Sequence, residues 1–171
     1  MHVKFSLPQG TIKLKLFSEQ APASCQYFIE DIESGRFASG NVFRIVNHQN
    51  DTPEASPPIA VVQLGHIHTS EDIAPSIAHE TTEQTGLRHR RGTVSLARYA
   101  PGAVYHSVFI CMEDCPSLDF GGTRHPDGQG FAAFAEVTSG MEVLQQVFAL
   151  AETKDYLQTP IPITGATLVR D

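Results

Sequence analysis

Short segments in which apolar and polar residues alternate recur along most of this chain, and this period of two limits the fold more than any other feature. Alternation places successive side chains on opposite faces of a strand, so each segment predicts a β-strand with a buried face. The predicted strands cover residues 2–7, 11–17, 42–46, 59–65, 92–98, 105–112, 131–137 and 160–169. The first two are separated by turn residues and form a predicted hairpin, and the last is a candidate partner for the first.

Two stretches have a helical period instead. A helix is predicted from Pro22 to Gly35, where apolar residues recur at spacings of three and four. A second helix is predicted from Ser139, which has the capping-box spacing to Glu142, through about Leu150. Helices and strands do not alternate as βαβ units, which favours a mainly β protein with a closed or nearly closed antiparallel sheet. We expect residues 1–171 to form a single domain.

The composition argues against several classes of protein. A formal charge of −7 disfavours nucleic acid and anionic membranes as partners. The residue pattern predicts neither a membrane-spanning segment nor a leader segment. The basic residues 88–91 are interpreted as a solvated turn. The three cysteines, Cys25, Cys111 and Cys115, lack zinc-type spacing and predict reduced thiols rather than disulfides or a metal site. We therefore expect a cytoplasmic protein, with an exported protein that has lost its signal as the alternative. We also expect a monomer without a metal or cofactor.

Arg44 stands in the middle of an apolar run, where a permanent charge is costly unless it has partners or a function. Strand alternation predicts that Val42, Arg44 and Val46 share one face. Gln63 interrupts the apolar run 59–65 in the same way, which suggests one shared polar spot on an apolar surface. The alternative for Arg44 is an edge residue that extends to water or pairs with a carboxylate.

The remaining segments are predicted to be loops. Residues 47–58 contain three prolines, and residues 65–91 are long and polar with little expected regular structure. The glycine-rich connector 119–130 lacks the phosphate-loop pattern, so we reject a phosphate site there. His66 and His68 could supply two metal ligands, but no third ligand follows from the spacing. The histidines of residues 65–91 are therefore interpreted as surface residues: His66, His68, His79 and His89.

In several segments, taken in order, the chain resembles the cyclophilin-type peptidyl-prolyl cis-trans isomerases. The matching segments are residues 10–16, Ala21-Pro22, 43–46, 62–65, 92–98, 107–110, 130–137 and 140–143. Residues 118–130 resemble a bacterial branch of that family. The resemblance implies a closed eight-stranded antiparallel barrel capped by two α-helices, with an outer groove that holds an Xaa-Pro peptide.

The resemblance also implies the roles of individual residues. Arg44 matches the catalytic arginine, which donates to the prolyl nitrogen in the twisted transition state. Gln63 matches the glutamine beside it, which would position the substrate backbone. The substrate-binding positions are Phe109 on the pocket floor, Ala97 in the groove, and Leu118, Val61, Ala60 and Phe131 on the pocket walls. The expected partners are proline-containing peptides or unfolded chains.

The chain departs from the family pattern around the proline pocket. Ala60 and Val61 stand where the family usually has Phe and Met, Phe131 stands where some members have His, and the chain has no Trp. These changes predict a wider or shallower pocket and weak cyclosporin binding. Three hypotheses follow: an active prolyl isomerase, a proline-peptide binding module with little or no turnover, and a histidine-based metal hydrolase at His66 and His68.

Overall fold

The computed structural model describes residues 1–55 and 57–170, and antiparallel pairing joins its strands into one nine-stranded sheet. The strands are β1 (His2–Leu7), β2 (Gly10–Leu16), β3 (Asn41–Val46), β4 (Val61–Gly65), β5 (Thr93–Arg98), β6 (Val104–Cys111), β7 (Ala133–Ser139), β8 (Tyr156–Pro162) and β9 (Gly165–Val169). Their order in the sheet is β8-β3-β4-β6-β5-β7-β2-β1-β9. The predicted mainly β, antiparallel class is confirmed.

The strand count differs from the expected eight because the last predicted strand divides in two. β8 pairs with β3, whereas β9 pairs with β1, as predicted for the end of the chain. Between them, the backbone N–H of Ile163 donates to Gly40 at 3.1 Å and that of Thr164 donates to Ser6 at 2.8 Å. Residues 156–169 therefore connect the two edges of the sheet. The sheet is curled rather than closed as expected, because β8 and β9 form its edges and, among the described residues, do not pair with each other.

The helices are α1 (Pro22–Glu33), α2 (Thr82–Thr85) and α3 (Met141–Phe148), with 3₁₀ turns at Phe37–Ser39 and Pro116–Leu118. The predicted capping box at Ser139 is wrong, because Ser139 ends β7 and α3 begins after Gly140, whose φ is 101°. A capping box is present at α2, where Thr81 and Gln84 exchange hydrogen bonds of 3.2 Å. α2 spans four residues, too short for a visible helical period in the sequence. None of the helices in the described part of the chain is long and apolar enough to cross a membrane.

Buried apolar side chains form two clusters. The interior cluster includes Phe5, Phe28 and Leu144 and is enclosed by the curled sheet and its helices. A smaller cluster, which we call the cleft cluster, comprises Val46, Ile59, Val61, Ala97, Phe109, Cys111, Cys115 and Leu118, with Tyr105 and Phe131 packed against it. Strand alternation explains the division, since neighbouring residues of one strand face opposite sides of the sheet.

A β-bulge in β3 determines which side chains face outward. The pairing register of β3 shifts between Val42 and Arg44 against both of its neighbours, so Phe43 is an extra residue. Val42 and Ile45 therefore both belong to the interior cluster, while Val46 belongs to the cleft cluster. The prediction that Val42 shares a face with Arg44 is wrong, because simple alternation does not survive a bulge.

Candidate functional site

A cleft of about 130 Å³ opens beside the cleft cluster and is the setting of the candidate site. Its lining consists of Arg44, Ile59, Val61, Gln63, Ala97, Arg98, Tyr105, Phe109, Leu118, Arg124 and Phe131. The structure thus brings together every site residue predicted from the sequence except Ala60. Ala60 packs in the interior cluster, on the opposite side of the chain from its neighbour Val61.

Arg44 is held at the cleft by three contacts. Its Nε–H donates to Asp155 Oδ2 at 2.7 Å, and one Nη1–H donates to Gln63 Oε1 at 3.2 Å. The guanidinium carbon also lies 5.3 Å from the ring centroid of Tyr156, in cation–π contact. These hydrogen bonds use two of the five N–H donors, and the side chain is 22% exposed. Arg44 is therefore fixed in orientation and still accessible to a ligand.

Gln63 is buried next to Arg44, and both the oxygen and the nitrogen of its amide group form hydrogen bonds. Its Oε1 accepts from Arg44, and its Nε2 donates to Ser107 Oγ at 2.9 Å and to the Tyr105 hydroxyl at 3.3 Å. Burial raises the pKa of Tyr105 to about 12, so its hydroxyl remains protonated at neutral pH. Gln63 thus connects Arg44 to two hydroxyl groups on β6.

The apolar part of the cleft is built from rings. Phe109 pairs with Gln63 in the register of β4 and β6, which places the ring next to the polar end of the cleft. Phe131 packs edge-on against Phe109, with ring centroids 5.5 Å apart. Leu118 lies on the 3₁₀ turn, and Phe131 donates its backbone N–H to the Leu118 carbonyl at 2.9 Å. These side chains form the apolar wall of the cleft.

His89 supports the pocket floor from behind. Its imidazole stacks on Phe109 at 6.0 Å and is 1% exposed. Its Nδ1 lies 2.7 Å from Asp119 Oδ1 and its Nε2 lies 2.9 Å from Ser95 Oγ. The interpretation of residues 88–91 as a solvated turn, and of His89 as a surface residue, is therefore wrong for His89. No local pattern indicates this burial, because its partners Asp119 and Phe109 are distant in sequence.

The Ser95, His89 and Asp119 chain has the connectivity of a serine hydrolase triad but not its accessibility. Ser95 is completely buried, and it does not line the cleft. A substrate carbonyl therefore has no route to its hydroxyl. The chain is a structural support for Phe109 rather than a nucleophilic centre.

Arg98 also lines the cleft, and no feature of the sequence marked it. It donates to Asp127 at 2.9 and 3.0 Å, to the Gly130 carbonyl at 3.0 and 2.6 Å, and to the Tyr99 carbonyl at 2.7 Å. These bonds use all five donors, and the guanidinium lies 4.9 Å from the ring centroid of Phe131. Arg98 therefore fixes the glycine-rich connector and Phe131.

Three carboxyl groups near the cleft have pKa values below their usual range. Burial alone would raise the pKa of each, but hydrogen bonds to the charged form outweigh burial. The donors are Arg124 for Asp51, His89 for Asp119 and Arg98 for Asp127. Each carboxylate is therefore favoured in the folded state.

These shifts predict acid sensitivity. A carboxyl with a lowered folded-state pKa contributes stability above its unfolded pKa, which is about 4, and loses it as the pH falls through the folded pKa. The contribution of these three groups to the free energy of unfolding should be level above about pH 5 and fall below about pH 4. Urea unfolding across this pH range measures the free energy of unfolding. Asp119→Asn should reduce the dependence of this free energy on pH. Asp72→Asn, at an exposed position, should not. A level stability down to about pH 2 would contradict the prediction.

The histidines considered as metal ligands have other neighbours. His66 Nε2 lies 2.7 Å from the Arg36 carbonyl, and His68 packs against the rings of Tyr99 and Tyr105. Within residues 1–55 and 57–170, no group of three or more His, Cys, Asp or Glu side chains could hold a metal ion.

The curled antiparallel sheet with an arginine and a glutamine beside an outer apolar pocket defines a cyclophilin-like fold. The family model described as cyclophilin type peptidyl-prolyl cis-trans isomerase matches residues 2–168. The chain belongs to this family of isomerases, as its sequence segments predict.

Individual relatives agree with this assignment at low identity. Peptidyl-prolyl cis-trans isomerase B of Escherichia coli (strain K12) is 24% identical over 168 residues, covering 94% of this chain and 92% of the relative. Peptidyl-prolyl cis-trans isomerase A of Dickeya dadantii (strain 3937) is 29% identical over 147 residues, covering 85% and 70%. A Cryptosporidium parvum cyclophilin type isomerase, solved in the presence of the dipeptide Ala-Pro, shares the fold with a TM-score of 0.75 at 17% identity over 100% of both chains.

Proposed function

We propose that this protein catalyses cis-trans isomerisation of Xaa-Pro bonds in peptides or unfolded proteins, without a covalent intermediate. The observation that carries the proposal is the position of Arg44, which is held by Asp155 and Gln63 beside the pocket floored by Phe109. A cyclophilin-type isomerase that was solved in the presence of Ala-Pro supports a proline ring as the occupant.

The reaction needs no nucleophile, because no bond is broken. Amide resonance creates a barrier of about 18–20 kcal/mol, and rotation leaves the lone pair localised on the prolyl nitrogen in the twisted state. The pocket would hold the proline ring, while an N–H of Arg44 donates to that nitrogen. This hydrogen bond strengthens only as the amide twists, which lowers the barrier rather than stabilising the ground state.

Gln63 acts in this mechanism through Arg44. The sequence resemblance suggested direct contact with the substrate backbone, but both N–H donors of its amide already bond to Tyr105 and Ser107. Its Oε1 accepts from Arg44. We therefore assign Gln63 a positioning role, in which it holds the guanidinium in the orientation that the twisted amide requires.

The experiment is an exchange measurement by NMR on a short Ala-Pro peptide, with catalytic amounts of the protein. Accelerated cis-trans exchange supports the proposed function. The alternative is a binding module, suggested by the small side chain Val61 at the pocket wall. Chemical-shift changes at the cleft without accelerated exchange would favour the module and contradict the isomerase.

Cyclosporin should bind weakly, with a dissociation constant above about 1 μM. The chain has no Trp to flank the pocket, and Phe131 occupies space beside Phe109. Direct calorimetric titration measures this affinity. Saturation at nanomolar concentration would show that the altered pocket still accepts the ligand.

We also propose that the protein is a cytoplasmic monomer. Cys25, Cys111 and Cys115 are free and buried, which suits a reducing compartment. Cell fractionation and sedimentation analysis test the two statements. An exported protein or a stable dimer would contradict them.

A further inference from the structure

The charged side chains that line the cleft are all basic, although the chain as a whole is acidic. The protein has a net charge of −7, yet three of the residues that line the cleft are arginines. None of the described residues lining it is Asp or Glu. The carboxylates that pair with these arginines, Asp155, Asp127 and Asp51, all lie outside the lining. The cleft therefore presents guanidinium groups to a ligand.

The three arginines differ in the donors that they have left. Arg98 uses all five N–H groups within the protein, so it has none for a ligand. Arg44 is the proposed donor to the prolyl nitrogen. Arg124 donates one N–H to Asp51 Oδ2 at 2.7 Å, which is its one hydrogen bond from the side chain among the described residues. Arg124 is therefore the arginine with donors available and no assigned role.

Arg124 is also held in place, as a recognition residue must be. Its backbone N–H donates to the Ser117 carbonyl at 3.1 Å, which fixes this part of the connector next to Leu118. Its partner Asp51 is 2% exposed and also accepts the backbone N–H groups of Ile59 and Thr52. Asp51 thus anchors one side of the guanidinium. The arginine itself is 16% exposed and lines the cleft.

We propose that Arg124 selects proline-containing segments that carry a carboxylate side chain on a residue next to the proline. A guanidinium pairs with a carboxylate through charge-assisted hydrogen bonds, and a half-buried cleft screens this attraction less than open solvent does. The carboxylate of Glu54 does not line the cleft; it is exposed to solvent in a separate hollow that Arg124 also lines. The inference rests on the proposed function only in placing the proline in the pocket.

The test uses two pairs of proline-containing peptides. Within a pair, one peptide has Glu and the other has Gln at the same position, which is directly before the proline in one pair and directly after it in the other. Both kcat/KM, from NMR exchange, and the dissociation constant, from titration, are measured at low ionic strength. At one of the two positions the wild type should prefer Glu over Gln by about fivefold or more. The preference should decrease at high salt concentration.

Variants are judged by this Glu-to-Gln ratio, which does not depend on the absolute rate. Arg124→Gln should bring the ratio close to one, and Arg124→Lys should keep part of it. Arg170→Gln is the matched control, because it removes the same charge from a residue that is 62% exposed and pairs with Glu33. It should keep the full ratio.

The two ideas fail in different ways. Turnover of all peptides with a ratio near one at both positions would overturn the role of Arg124, as would a ratio that survives in Arg124→Gln. Selective binding of the Glu peptide without any turnover would overturn the isomerase and leave the role of Arg124 standing.

Discussion

Arg44→Ala should lower kcat/KM for an Ala-Pro peptide by roughly 100- to 1,000-fold, the effect of removing one transition-state hydrogen-bond donor. The variant leaves the pocket floor at Phe109 intact, so peptide binding should change much less than turnover. NMR exchange and titration on the same samples separate the two quantities. Equal rates for the variant and the wild type would remove Arg44 from the mechanism.

Two controls accompany this comparison. Arg44→Lys keeps the charge but loses the planar fork that bonds Asp155 and Gln63 together, so it should recover little of the rate. Urea unfolding of each variant checks that the fold is unchanged.

The wild-type rate should also vary little between about pH 6 and 8, because arginine does not titrate there. A steep histidine-like profile would point to a different catalytic group.

Arg98→Met should lower the free energy of unfolding by about 3 kcal/mol, because it removes a buried guanidinium that makes five hydrogen bonds and an ion pair with the partly exposed Asp127. The side chain of Arg98 is 2% exposed, and its loss leaves the Asp127 carboxylate and the Gly130 carbonyl without their donor. Phe131 also loses the guanidinium that packs on its ring. Urea unfolding at neutral pH measures the change.

The matched control is Arg90→Met, which makes the same substitution at an exposed position and should change stability by less than about 0.5 kcal/mol. The double variant Arg98→Met/Asp127→Asn should lose less than the sum of the single changes, because it removes both charges of the pair. An Arg98→Met protein as stable as the wild type would contradict this assignment.

The sequence was sufficient for the strand pattern, for α1, and for the pairing of the first strand with the last. These features depend on local periodicity and on turn residues, which are visible in a single chain. The sequence was insufficient where a single extra residue shifted the pairing register of a strand. The bulge at Phe43 adds a residue to β3, and no local pattern distinguishes it from ordinary alternation.

Some residues of the candidate site could be identified from the sequence, and others only from the structure. The family resemblance identified Arg44, Gln63 and Phe109, because these residues stand in recognisable segments. His89, Arg98 and Arg124 were missed, since their importance depends on partners in distant segments. Asp119 for His89, Asp127 for Arg98 and Asp51 for Arg124 lie between 29 and 73 residues away in the chain.

The sequence by itself therefore determined the antiparallel β class, the family, and the chemical identity of the residues beside the pocket. Only the tertiary structure decided that Ala60 faces the interior, that His89 is buried behind Phe109, and that Arg124 reaches the cleft. The physical reason is that periodicity records which face of an element is apolar. Hydrogen bonds between side chains of distant loops, by contrast, depend on how the whole sheet curls and brings those loops together.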